Sequence, residues 1–173
     1  MKNDTVLNGK ALSFLNERIK TFTKAIELNP KDATSYYNRG YVYEELGNYQ
    51  QAIEDFSKAI ELDPQDASDA YFSRGNTYCM LGNLQQAKKD FSRVILLKPN
   101  DADTYYDRGW AHYMLGNYHQ AIEDFSKVIE LDPDDTVAYH NRGNAYEKLG
   151  NQQQAKKDYK TAMAINIQEV LDL

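Results

Sequence analysis

The stretch SYYNRGYVYEELGNYQQAIEDFSKAIELDP, residues 35–64, decides how this chain folds. Tyr36, Gly40, Tyr43 and Leu46 fall at intervals of three and four, which places them on one stripe of an α-helix. Gly47 follows at once. Glycine enters the left-handed backbone conformation cheaply, so the helix is predicted to stop there. Ala52, Phe56, Ala59 and Ile60 mark a second helical stripe. Pro64 closes it, because proline lacks an amide donor and disfavours helix in the residue before it. Gly40, Ala52 and Ala59 are small where the two helices must approach each other. The stretch therefore predicts a helical hairpin.

Outward from this unit the chain repeats it. Leu-Gly-Asn stands at 46–48, 81–83, 115–117 and 149–151, and Arg-Gly at 39–40, 74–75, 108–109 and 142–143. Pro30, Pro64, Pro99 and Pro133 are spaced 34, 35 and 34 residues apart. The extra residue falls between Pro64 and Gly75, where a connecting turn is expected. Hairpins of this length cannot bury their apolar faces alone, and stacking them produces one continuous core.

The pattern resembles the tetratricopeptide repeat. The residues that carry the resemblance are Tyr36, Gly40, Tyr43, Ala52, Phe56, Ala59 and Pro64, then Tyr71, Gly75, Tyr78, Ala87, Phe91, Val94 and Pro99. They continue as Tyr105, Gly109, His112, Ala121, Phe125, Val128 and Pro133, and end as Tyr139, Gly143, Tyr146, Ala155, Tyr159 and Ala162, with Ile167 in place of proline. Phe22, Ala25, Ile26 and Pro30 match a second helix with no Arg-Gly helix before it. The resemblance implies an all-α, right-handed superhelical solenoid of antiparallel helix pairs. The expected organisation is a single domain over 1–173: a half repeat at 1–32, repeats at 33–67, 68–101 and 102–135, and a fourth at 136–173 that carries an apolar tail.

Each repeat departs from the family, which usually has Leu before the Gly, by carrying Arg39, Arg74, Arg108 or Arg142. Asp55, Asp90, Asp124 and Asp158 lie 16 residues further on. A guanidinium near an aromatic core needs a partner, so ion pairs between packed helices are expected. A row of ligand-binding arginines is the other reading.

The resemblance also implies a concave groove lined by the first helices, on the stripe one residue past the core. Tyr37, Asn38, Tyr41, Glu44, Phe72, Asn76, Tyr106, Asp107, Trp110, His140, Asn141 and Asn144 are its candidate residues. The aromatics suit interface anchoring and the asparagines suit gripping a peptide backbone. Tyr37, Phe72 and Tyr106 serve equally well to pack neighbouring helices, whereas Tyr41 and Trp110, a turn further on, are expected to be open. Glu44, Glu45, Asp69, Asp103, Asp107 and Glu147 make the stripe acidic, with Lys148 opposed. A neutral or basic partner segment with apolar anchors follows. Family members that clamp a terminal carboxylate do so with Lys, Arg and Asn; Tyr37, Tyr41, Ser73, Asp103 and Asp107 here would repel one.

Composition narrows the rest. The 173 residues carry a net charge of −6, which argues against general nucleic-acid binding. No apolar run approaches the roughly 20 residues of a membrane helix, and Met1 to Leu15 do not read as a secretory signal. With one cysteine, Cys79, no internal disulfide forms, and a cytoplasmic location is expected. No catalytic constellation, metal set or cofactor motif stands out. His112 replaces a core Tyr and is expected to pack there with its hydrogen bonds satisfied, and His119 sits where a second helix begins. Asp132 to Asp135 read as a turn rather than a calcium loop.

Residues 33–67 and 102–135 are net acidic, whereas 68–101 and 136–173 are net basic. Duplication of a two-repeat ancestor explains this alternation, and so does a striped outer face that helps molecules associate in register. The tail residues Ile165, Ile167, Val170, Leu171 and Leu173 are apolar with no polar helix after them. The tail folds back, or two copies cover each other's ends, or the chain is a piece of a longer one. The expected function is a protein-interaction scaffold holding a peptide segment in its groove. A self-assembling structural protein is the alternative, and an enzyme the remote third.

Overall fold

The computed structural model describes residues 9–171, with side chains through residue 168. Among these residues there are nine helices and no strand: α1 (Gly9–Leu28), α2 (Ala33–Glu45), α3 (Tyr49–Leu62), α4 (Ser68–Met80), α5 (Leu84–Leu97), α6 (Ala102–Met114), α7 (Tyr118–Leu131), α8 (Thr136–Lys148) and α9 (Gln152–Leu171). The chain divides into two compact units, one ending at Leu81 and the other beginning at Gly82.

In the first unit α1 packs on α2, α2 on α3, and α3 on α4. Val42, Ala52 and Phe56 are fully buried, and Ala59, Ile60, Ala67 and Ala70 form a cluster under Tyr36, Tyr37 and Tyr71. In the second unit α5 to α9 pack each on the next. Its core holds Phe91, Val94, Ala111, Phe125, Val128 and Ala145.

Leu-Gly-Asn does two jobs at each hairpin. Gly47 has φ 73°. Its N–H donates to the Glu44 carbonyl and that of Asn48 to the Tyr43 carbonyl, both at 2.8 Å. This paired geometry satisfies the orphan carbonyls at a helix end and requires the left-handed residue that glycine supplies. Asn48 then precedes the next helix, its own carbonyl accepting the first turn's bond from Ala52. Gly116 and Gly150 repeat the arrangement. The Arg-Gly glycine answers a different need: a Cβ at Gly40 would lie 2.9 Å from the Phe56 ring, and one at Gly143 2.5 Å from that of Tyr159.

The connections between hairpins start the next helix. Asp32, Asp101 and Asp135 are N-caps, and the Asp135 carboxylate accepts from the Ala138 N–H at 2.8 Å. Asp32 and Asp101 instead accept from the hydroxyls of Ser35 and Thr104. The connection from Asp63 to Ala67 is one residue longer than the others, and Ala67 stands at the cap with no side chain to offer.

Candidate functional site

The candidate face of the first unit is built on α2 and α4. Tyr37 is half-buried, its ring 5.7 Å from that of Phe56, so most of it serves packing. Tyr41, one turn on, is 44% exposed. Asn38, Phe72 and Asn76 are half-buried beside them. The hydroxyl of Thr77, itself fully buried, lies 2.7 Å from the Glu44 carboxylate and 2.8 Å from the Ser73 carbonyl, so its one proton serves both. Burial pushes the Glu44 carboxyl above its usual pKa, Thr77 opposes that, and the neighbouring Glu45 adds to it. Glu45 in turn meets Arg18 of α1 at 3.2 Å. A cavity of about 230 Å³ lies beside this face, lined by Thr34, Tyr37, Ala59, Asp63, Asp66 and Asp69 among others.

The second unit presents α6 and α8. Tyr106 is half-buried, its ring 5.8 Å from that of Phe125, and its hydroxyl accepts from Asn141 Nδ2 at 2.9 Å. Trp110 is 37% exposed. Asp107 is half-buried, and burial, reinforced by Asp103 and Asp101, pushes its carboxyl up to about 6. His140 is exposed, its ring 5.3 Å from that of Tyr159. The Tyr159 hydroxyl donates to Asn144 Oδ1 at 2.8 Å and stands 3.2 Å from Glu147. Thus Asn141 and Asn144 each have one polar group engaged within the unit and one left to offer.

The arginines are turned inward. Arg39 donates through Nε and Nη2 to Asp55 at 2.7 and 2.8 Å, and lies over the rings of Tyr36 and Tyr43. Arg108 holds Asp124 at 3.0 and 2.6 Å, and Arg142 holds Asp158 at 2.7 and 2.8 Å. The side chains of Asp55, Asp124 and Asp158 are at most 8% exposed. Asp90 is also buried.

Sequence reasoning missed the third acceptor of each fork. Nη1 of Arg39, Arg74, Arg108 and Arg142 donates to Thr23, Ser57, Ser92 and Ser126, at 3.1, 2.8, 3.1 and 2.9 Å. These hydroxyls belong to the helix before the arginine's own. They follow Phe22, Phe56, Phe91 and Phe125 at the repeat interval, and that recurrence was the available signal.

His112 departs from its expectation. It is packed where other repeats have Tyr, but its Nδ1 is buried with no hydrogen-bond partner. Its Nε2 lies 4.0 Å from Asp124, whose oxygens Arg108 already holds. Burial pushes the imidazole below its usual pKa; Asp124 opposes this, while Lys88 and Arg108 reinforce it.

At the far end of α9, Ile165 is half-buried and Ile167 is 55% exposed. The side chains of Val170 and Leu171, and Leu173 altogether, lie outside the described residues. No described helix is long and apolar enough to cross a membrane.

Sequence patterns of the tetratricopeptide repeat match residues 33–66, 68–101 and 102–135, and related patterns match 15–47 and 125–157. The chain belongs to the tetratricopeptide repeat family. No curated protein matches it. Among solved structures, one of MamA is 26% identical, with 98% of this chain and 99% of that chain covered at a TM-score of 0.86. A second MamA structure is 27% identical, covering 93% of this chain and 87% of that chain at 0.86. A structure of YrrB, described as a TPR protein with an unusual peptide-binding site, is 26% identical, covering 90% of this chain and 80% of that one at 0.81. Family and neighbours support a protein-interaction scaffold.

Proposed function

We propose that the chain holds a peptide segment of a partner protein against the exposed faces of its first helices. In the first unit Tyr37, Asn38, Tyr41, Glu44, Phe72 and Asn76 are the contact residues. In the second they are Tyr106, Asp107, Trp110, His140, Asn141 and Asn144. The partner segment is neutral or basic and carries apolar anchors. The observation that carries this reading is Asp107: a half-buried carboxyl among acidic neighbours, beside an exposed tryptophan and an asparagine with its carbonyl still to offer. A lysine or arginine there would relieve the repulsion, and an apolar side chain would cover Trp110. The half-engaged Asn141 and Asn144 suit a backbone carbonyl or amide. The peptide-binding site in the description of YrrB is consistent with such use of the fold.

Trp110 is the single tryptophan, so its fluorescence reports on this face alone. The test is a titration with synthetic peptides of matched length, one set basic with Leu or Phe anchors, one acidic with the same anchors. Saturable shifts of Trp110 emission with the basic set, weakened by Asp107→Asn and by Asn144→Ala, are expected. Preference for the acidic set, or shifts indifferent to both substitutions, would overturn the reading.

A further inference from the structure

We propose that two copies of this chain dock through the outer faces of α5 and α7, with Lys89 of each copy against Glu123 of the other. This surface lies on the second helices and is distinct from the peptide-holding faces proposed above.

The second helices carry a strict alternation at one repeat position: Glu54, Lys89, Glu123 and Lys157. Lys89, Glu123 and Lys157 are all exposed, and none makes an ion pair among the described residues. On α7 the other outward charges engage each other, Lys127 meeting Glu130 at 2.6 Å. The unmatched charge on the outer stripe of α7 is therefore negative. On α5 it is positive, with Lys89 and Arg93 exposed and Lys88 half-buried beside them. Leu96 stands on the same stripe as Lys89 and Arg93 and is 73% exposed, an apolar side chain that an interface would cover.

Both helices pack on α6, and short turns between successive helices make α5 and α7 run the same way. A two-fold axis along the helices, between these two stripes, exchanges them. Each basic stripe then faces an acidic one, twice over, in a closed isologous dimer. A copy docked with α5 on α5 would set like charge on like charge. A basic stripe beside an acidic one is thus complementary to its own rotated image, whereas a foreign partner would have to carry the same pattern by coincidence. Duplication of a two-repeat ancestor explains how the alternation arose and leaves its use open. Exposed ion pairs are individually weak, so the dimer is weak and sensitive to salt.

The test is light scattering over a concentration series of the full chain, at about 0.01 M and about 1 M salt, across which the screening length falls from about 30 Å to about 3 Å. Mass that rises towards a dimer at low salt and returns to monomer at high salt is expected. Lys89→Glu alone and Glu123→Lys alone each weaken association by about tenfold or more, because each places like charges together twice. Mixing the two variants restores it, since every contact is again of opposite sign, and so does the double variant Lys89→Glu/Glu123→Lys. The sites are exposed, and circular dichroism checks that each variant is folded. A monomer under every condition, a dimer unaffected by single reversal, or a mixture that stays monomeric would each overturn the proposal.

Discussion

The Arg108–Asp124 pair offers the sharpest test of how the repeats hold together. Asp124→Ala leaves a guanidinium, 21% exposed and packed over Tyr105, with two of its three side-chain bonds gone. Breaking a buried pair from one side costs about 3–5 kcal/mol, because a charge remains without its partner. Arg108→Leu, which installs the usual family residue, strands the buried carboxylate and is expected to cost a similar amount. The double variant removes both charges. Replacing a buried pair by apolar groups is often close to neutral, so its cost should fall well below the sum, leaving a coupling of about 2 kcal/mol or more. With a urea slope of about 2 kcal/mol per molar, each single change lowers the unfolding midpoint by roughly 1.5–2.5 M. Trp110, two residues from Arg108, reports the transition by fluorescence, and far-ultraviolet circular dichroism follows the helices. Coupling below about 0.5 kcal/mol, the scatter expected of independent sites, would refute the reasoning.

His112 should make stability depend on pH. Its folded pKa is lowered, so as pH falls below the usual histidine value near 6.5 the unfolded chain takes up the proton first. Stability is then level above that value and falls as pH drops, by at most about 1.4 kcal/mol per unit, until the folded form also protonates. Urea midpoints measured at two pH values should show this slope in the parent and less of it in His112→Tyr. Two glycines separate backbone strain from crowding. Gly116 has φ 77° and open space around it, so Gly116→Ala should cost about 1 kcal/mol from conformation alone. Gly143→Ala sets a methyl 2.5 Å from the Tyr159 ring and should cost about 1–3 kcal/mol from overpacking. Combining Gly143→Ala with Tyr159→Ala should cost less than the sum of the two single changes, whereas Gly116→Ala and Tyr159→Ala should simply add.

The helix boundaries were legible because they rest on single residues with one physical role: a glycine that must turn left-handed, a proline that cannot donate. The family and the all-α class followed from four copies of that punctuation. Exposure was less legible. Tyr41, a turn further on, is open as expected, whereas Tyr37 suits packing and binding equally in sequence, and only the crossing of α2 over α3 sets it against Phe56. Asp107 reads as one more surface acid, yet its place on α6 half-buries it beside other acids. His112 reads as a substitute for Tyr, but an imidazole has a second polar atom, and this site has nothing to meet it.

The arginine explains why one substitution recurs in every repeat. Leucine at that place would add apolar contact within a hairpin. Arginine instead offers a fork whose Nε and Nη2 bind the next helix while Nη1 reaches the helix before. Arg39 therefore ties α1, α2 and α3 together, and Arg142 ties α7, α8 and α9. Directional bonds to both neighbours fix the rotation of each first helix about its axis, which apolar packing alone leaves loosely defined. That rotation decides which residues of the helix face outward. In the second unit it is the same rotation that turns Arg108 inward onto Asp124, leaves Asp107 half-buried and exposes Trp110. The buried row of charge and the open face proposed for peptide binding are consequences of one choice of residue.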